Sequence, residues 1–361
     1  SGVWIMAYTT IDDPSAYFHT QLYTGNDSAR TITNDANAGD FKPDWLWVKH
    51  RNHSTGHSNN LVDSTRGGTK TMYTNTNDGE ETITNGVTGF ATDGFTLGTN
   101  AAVNDNSINY VAWQWKANGG TTSSNSDGSI TSTVQADTTA GFSIVTYTGT
   151  GSAATIGHGL GKVPAMMLVK KRSASGTNWA MYHNGVLTSS DARFHYIKVN
   201  TTDQYAGDGN YWNDTAPTTS VFTVGSSGDT NASSATYVAY CFAEIQGYSK
   251  FDSYEGNGNA DGPFVYTGFR PSFIWMKNID AAENWLIYDS KRDPHNVTDE
   301  ALLPNSGSAS GGSSNAMDLL SNGFKLRQSA GSLNGSNKTF MYIAFAEHPF
   351  VSSEGVPVTA R

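Results

Sequence analysis

Five landmarks recur three times in the same order along this chain, and that repetition constrains the fold more than any other feature. A tyrosine-led start stands at Tyr23-Thr24-Gly25, Tyr147-Thr148-Gly149 and Tyr254-Glu255-Gly256. A proline-led apolar run ending in lysine follows: "FKPDWLWVKHR" (Phe41–Arg51), "GKVPAMMLVKKR" (Gly161–Arg172) and "FRPSFIWMKN" (Phe269–Asn278). Next come "NNLVDSTR" (Asn59–Arg66), "NWAMYHNG" (Asn178–Gly185) and "NWLIYDSKR" (Asn284–Arg292), and then "TDGFTLG", "TSVFTVG" and "SNGFKLR". Each copy closes with "NYVAWQWKA" (Asn109–Ala117), "TYVAYCFAE" (Thr236–Glu244) or "TFMYIAFAE" (Thr339–Glu347). The spacing of Pro43, Pro164 and Pro271 is domain-sized rather than solenoid-sized. The chain is a tandem triplication.

The repeated blocks predict strands. They alternate or run apolar, and Asx-Gly and Gly-Gly turns separate them. The closing blocks are aromatic-rich and free of Gly and Pro, as a central strand requires. Composition agrees: 37% hydrophobic, 15% charged and 38 glycines suit short strands and tight turns rather than helices. The expected fold is all-β: three tandem, internally homologous β-sandwich domains of jelly-roll or lectin-like kind, each with its own core. The expected boundaries are 1–118, 119–247 and 248–350, with 351–361 as a tail. The Ser/Thr/Gly-rich lead-in Gly119–Ala140 reads as a linker, and Gln246–Lys250 as a tighter junction. Residues 1–5 read as an added leader ahead of a natural start at Met6.

The 32 acidic and 22 basic side chains leave a net charge of −10, with no basic cluster longer than Lys170–Arg172, which argues against nucleic acid. No apolar run approaches the roughly 20 residues that cross a bilayer, so no membrane insertion is expected. The single cysteine, Cys241, permits no intrachain disulfide and points to folding in a reducing cytoplasm.

Candidate sites are few. Trp45 and Trp47 look like a sugar platform, but Met166 and Leu168 hold the same frame in the sister copy, which makes them core residues. Trp113, Trp115, Trp179 and Trp285 share that reading. Trp212 differs, because it stands among turn formers in "DQYAGDGNYWND" with Tyr205 and Tyr211. These three are the expected ligand-binding surface. His50, His53 and His57 crowd one loop at spacings that could ligate a metal, with no carboxylate or cysteine among them; a solvated loop is the preferred reading. The run Asn257–Gly262 mimics a calcium loop but lacks the closing glutamate and reads as a turn. Asp63/Arg66 and Asp289/Arg292 read as ion pairs fixing strand ends. No hydrolase, zincin or phosphate-loop motif occurs, and Asp203 and Asp208 are bare candidates for a carboxylate pair. No cofactor is expected.

The strings "MAYTTIDDPSAYF" (Met6–Phe18), "GFSIVTYTGTG" with "IGHGLGKVPAMMLVK" (Gly141–Lys170), "YVAYCFAEIQGYSKF" (Tyr237–Phe251) and "FVYTGFRPSF" (Phe264–Phe273) resemble a family of proteins carried by marine tailed bacteriophages. The similarity extends from Met6 to about Phe350. It implies a non-enzymatic virion structural protein: an exposed tail-fibre, host-adhesion or capsid-decoration component, assembled in the host cytoplasm. Implied partners are other virion proteins and a host cell-surface glycan, with a homotrimer or a pseudo-threefold monomer as the assembly. The alternatives are a phage depolymerase or glycoside hydrolase acting on surface polysaccharide, and a carbohydrate-binding module.

Overall fold

The blocks free of glycine and proline do occupy central positions. In the first copy the closing strand Asn109–Trp115 lies between the opening strand Phe18–Thr24 and the proline-led strand Trp45–His50, which pairs onward with Asn60–Asp63. In the second, Thr236–Phe242 lies between Phe142–Thr148 and Met166–Lys171, followed by Ala180–His183. In the third, Thr339–Pro349 lies between Ser249–Glu255 and Phe269–Asn278, followed by Leu286–Asp289. All of these pairings are antiparallel. A smaller sheet accompanies each: Arg30–Ile32 with Gly94–Leu97 and Val87–Ala91, Ala154–Gly157 with Val221–Val224, and a four-stranded sheet running from Phe264–Tyr266 to Thr298–Ala301. The computed structural model describes residues 7–35, 41–186 and 192–357; the segment 1–5 and the start at Met6 lie outside them. The fold is all-β.

Alternation along the proline-led strands explains why both of their faces are apolar. Trp45 and Trp47, Met166 and Leu168, and Phe273 and Trp275 point into one cluster shared by all three copies. Leu46 and Val48, Met167 and Val169, and Ile274 and Met276 point the other way, into three separate clusters beneath the smaller sheets. A period of two on a strand buried on both faces produces this division. The expectation of one core per copy is therefore corrected: each copy has an outer core, and the inner faces form one core in common. Trp45 packs against Tyr240 and Phe142 of the second copy, at ring separations of 5.0 and 5.9 Å. Trp47 meets Trp275 of the third at 5.3 Å, and Phe242 meets Phe345 at 5.9 Å. Trp113, Trp115, Trp179 and Trp285 are also buried here.

Polar bonds link the copies in a cycle. The Trp179 indole donates to the Tyr73 carbonyl at 2.8 Å, Trp285 to that of Lys198 at 3.2 Å, and the Asn59 amide to that of Leu303 at 3.3 Å. Asn59, Trp179 and Trp285 hold the same repeat position, so the second copy grips the first, the third grips the second and the first grips the third. At the far end of these strands Asp63 accepts from Tyr240 at 2.6 Å, Asp289 accepts from Trp113 at 3.0 Å, and His183 lies 3.2 Å from the Tyr342 carbonyl. Asp63 and Asp289 are each closed by their own arginine, Arg66 at 2.5 Å and Arg292 at 2.6 Å, with both side chains of each pair fully buried.

The lysine one residue before the end of each proline-led strand lies on the inner face and is buried. Lys49 donates to Asn59 Oδ1 at 2.7 Å and to the Ser306 carbonyl at 2.8 Å, Lys170 to the Thr177 carbonyl at 2.5 Å, and Lys277 to the carbonyls of Asn278 and Ala281 at 2.6 and 2.9 Å. Burial lowers their pKa values to about 7, about 8 and about 8 from 10.5. Between these values and 10.5 the unfolded chain binds protons that the folded chain does not, so this contribution to stability rises with pH across that window and is lost as pH falls toward 7. Lys49→Met is expected to flatten the rise between about pH 7 and 10, as read from urea midpoints at a series of pH values. An unchanged slope would mean that Lys49 stays charged when folded.

Candidate binding groove

The three junctions between copies are not equally filled. At the first, the strand Ser132–Asp137 adds to the open edge of Phe142–Thr148, with Gln135 opposite Ile144. Gln135 is buried, and its Oε1 accepts from Ser64 Oγ at 2.9 Å and Thr65 Oγ1 at 2.8 Å. This strand, with Ser123–Asn125 beside it, lies where a linker was expected; Thr133 and Val134 supply the β propensity that the neighbouring serines and glycines obscure. At the second junction the turn Asn184–Val186 packs on the backbone of Ser249–Glu255. Gly185 is required there, because a Cβ would come within 2.6 Å of the Asp252 carbonyl carbon.

At the third junction, between copies three and one, a groove of about 670 Å³ remains. One wall is the opening strand, through Phe18, His19 and Thr20, together with Asp12 and Asp13. The other is Ser290-Lys291 with Glu347 and His348. Among the described residues, Phe18–Thr24 has a strand partner on one side only.

Most charges in the groove are already engaged. Asp12 accepts from the Ser353 N–H at 2.6 Å and from its hydroxyl, which hold its carboxyl below the usual range. Asp13 caps the following turn through Ser15, Glu347 binds Arg270 Nε at 2.7 Å, and Lys291 binds Asp35 at 2.7 Å. Burial lowers the His19 pKa despite the Gln21 amide and the Asp35 carboxylate beside it. The buried Thr20 hydroxyl, by contrast, has no hydrogen-bond partner among the described residues.

None of the expected ligand-binding aromatics lines this groove. Trp212 is fully buried, its indole donating to the His195 carbonyl at 3.0 Å, and Tyr211 stacks on Tyr196 at 3.6 Å. Tyr205 is half-buried against the shared core. The turn-rich sequence around them hid their burial: the turn folds back over its own aromatics. Tyr211→Phe keeps that stack and removes the bond to Asp229 at 2.7 Å. The expected cost is about 1.5–3 kcal/mol of stability, measured by chemical denaturation. A variant as stable as the parent would put this tyrosine back among the surface candidates.

The three histidines do gather, with His53 and His57 ring centres 4.5 Å apart. Both nitrogens of His53 are committed, Nε2 to Asp105 at 3.0 Å and Nδ1 to the Thr55 N–H at 3.1 Å, and His50 Nε2 lies 2.7 Å from the Gly307 carbonyl. Among the described residues no group of three or more His, Cys, Asp or Glu is arranged to hold a metal. The loop Asn257–Gly262 is a turn whose groups bond to Asn334 and to one another. Asp203 pairs loosely with Lys198 at 3.6 Å, and Asp208 accepts from Asn210 at 2.9 Å.

Sequence reasoning missed the buried asparagines Asn104, Asn231 and Asn334, which end three four-residue helices. Each side-chain amide donates to the backbone carbonyl six residues earlier, at 2.7, 2.7 and 2.9 Å, and each Oδ1 accepts from the backbone just after the Tyr-X-Gly start. An asparagine a few residues before each closing strand was the available signal.

A family model described as a domain of unknown function, DUF7483, matches residues 13–349. The chain belongs to the DUF7483 family. No curated protein and no solved structure matches it. The DUF7483 match begins at Asp13 on one groove wall and ends at Pro349, next to His348 on the other, so it spans all three copies and both sides of the open junction.

Proposed function

We propose that this chain is a non-enzymatic structural component of a bacteriophage virion, carried on the particle exterior as a tail-fibre, host-adhesion or capsid-decoration part. The observation that carries the reading is the cyclic interlock. Three sandwich repeats of jelly-roll or lectin-like kind, built by duplication, grip one another around a common core without a disulfide. Such a body suits an exterior part that is assembled in a reducing cytoplasm and then exposed to proteases. Within one chain the repeats supply the threefold arrangement, which favours a pseudo-threefold monomer over a homotrimer. Other virion proteins and a host-surface glycan are the partners this role calls for.

The depolymerase alternative needs a carboxyl group held protonated beside a second carboxylate. In the groove Asp12 is shifted the opposite way, and Asp13 and Glu347 are tied to structural partners. Immunogold labelling of purified particles with antibody to this chain tests the proposal. Gold on the particle exterior is expected, and absence of the chain from washed particles overturns it. New reducing ends released from host polysaccharide would favour the hydrolase.

A further inference from the structure

We propose that the open edge of Phe18–Thr24 is a strand-addition site, which takes an extended, neutral-to-basic segment of another polypeptide into the groove. This goes beyond the virion reading and does not depend on it.

The first junction shows what the third lacks. Thr20 pairs with Trp113 as Ile144 pairs with Tyr240, at the same position of the closing strand, so Phe18 and Thr20 correspond to Phe142 and Ile144. Registers also agree at the strand start, where Lys116 N–H donates to the Tyr17 carbonyl and Ala243 N–H to that of Gly141. Antiparallel hydrogen bonds alternate sides. Phe18 and Thr20 therefore turn their N–H and C=O groups to the open side, as Phe142 and Ile144 turn theirs to Asp137 and Gln135.

The side chains agree with the backbone. In the first junction Gln135 sits opposite Ile144 and is gripped by Ser64 and Thr65. In the third, Ser290 and Lys291 hold the places of Ser64 and Thr65, and both line the groove with Thr20. An amide side chain opposite Thr20 would accept from Ser290 and Lys291 and supply the partner that the buried Thr20 hydroxyl lacks. On the rim Glu347 and Lys291 are paired with Arg270 and Asp35, while Asp12 and Asp13 face no cation among the described residues, which favours a neutral or basic strand and disfavours a second copy of a chain with net charge −10. Main-chain bonds supply affinity in such an arrangement, and alternate side chains supply selectivity.

The test uses the full chain and a synthetic peptide of residues 130–137 (ITSTVQAD), read by amide hydrogen exchange. Saturable slowing at Phe18 and Thr20 by about tenfold or more is expected, distinct from any effect at Phe142 caused by exchange with the native strand. A peptide carrying Asp137→Lys is expected to bind more tightly, and one carrying Gln135→Leu more weakly. Thr20→Pro in the protein removes an N–H that faces the open side, so it is expected to abolish protection with little change in thermal midpoint. Ser290→Asp serves if that variant does not fold, and is expected to weaken binding through repulsion of the amide oxygen. No slowing at Phe18 and Thr20 at millimolar peptide, equal slowing by a scrambled peptide, or undiminished binding to the folded variant overturns the proposal.

Discussion

Asp289→Ala is expected to lower the free energy of unfolding by about 3–5 kcal/mol, the cost of stripping one partner from a fully buried ion pair. Asp289 Oδ1 accepts from the Arg292 N–H at 2.8 Å, and Oδ2 accepts from Arg292 Nε at 2.6 Å and from the Trp113 indole at 3.0 Å. The substitution leaves a guanidinium in the core with, among the described residues, only the carbonyls of Glu300 and Ile287 as acceptors, and it leaves the indole N–H unpaired. It also cuts a bond between the third and first copies. Pairing it with Arg292→Met removes the stranded charge and is expected to recover much of the loss. Urea denaturation of the single and double variants measures both effects. A loss below about 1 kcal/mol for the single variant would mean that water or a rearranged neighbour replaces the carboxylate.

Trp45→Ala is expected to cost a similar amount, about 3–5 kcal/mol, and to do so for the whole chain at once. Its ring lies 4.5 Å from that of Trp115, 5.0 Å from Tyr240 and 5.8 Å from Phe242, so the cavity would open between two copies. Because the inner faces share one cluster, calorimetry is expected to show one transition for the parent and one, at lower temperature, for the variant. If about a third of the unfolding enthalpy moved while the rest stayed in place, the copies would be melting separately and the common core would not act as a cooperative unit.

The triplication and the strand identities were legible because hydrophobic alternation and turn residues are local signals. Met166 and Leu168 were enough to move Trp45 and Trp47 from a sugar platform to a core. The layout of that core was not legible: a strand apolar on both faces says that both are covered, not that one cover is the neighbouring copy. Gln135 shows the same limit from the other side. In sequence it is a polar residue in a Ser/Thr/Gly-rich stretch, and only the approach of Ser64 and Thr65 makes it a buried bridge. The groove was invisible for a related reason, since it is set by an element present at one junction and, among the described residues, missing at another. Trp212 misled because its flanking residues are turn formers, while its own environment comes from Tyr182 and the His195 carbonyl.

The bond from Ser353 to Asp12 has a consequence for how the chain can be drawn. The first copy touches the third as directly as it touches the second, and residues 12 and 353 meet at the closing junction. The native contacts thus form a closed circuit in which chain order picks no first member. A circular permutant that joins the region of Asp12 to that of Ser353 through a short linker, and opens at the exposed Thr121–Thr122 segment, keeps every inter-copy bond described above. Its near-ultraviolet circular dichroism and single melting transition are expected to match those of the parent. A permutant that loses one copy's share of the signal would show that the order of synthesis, rather than the circuit of contacts, holds the three together.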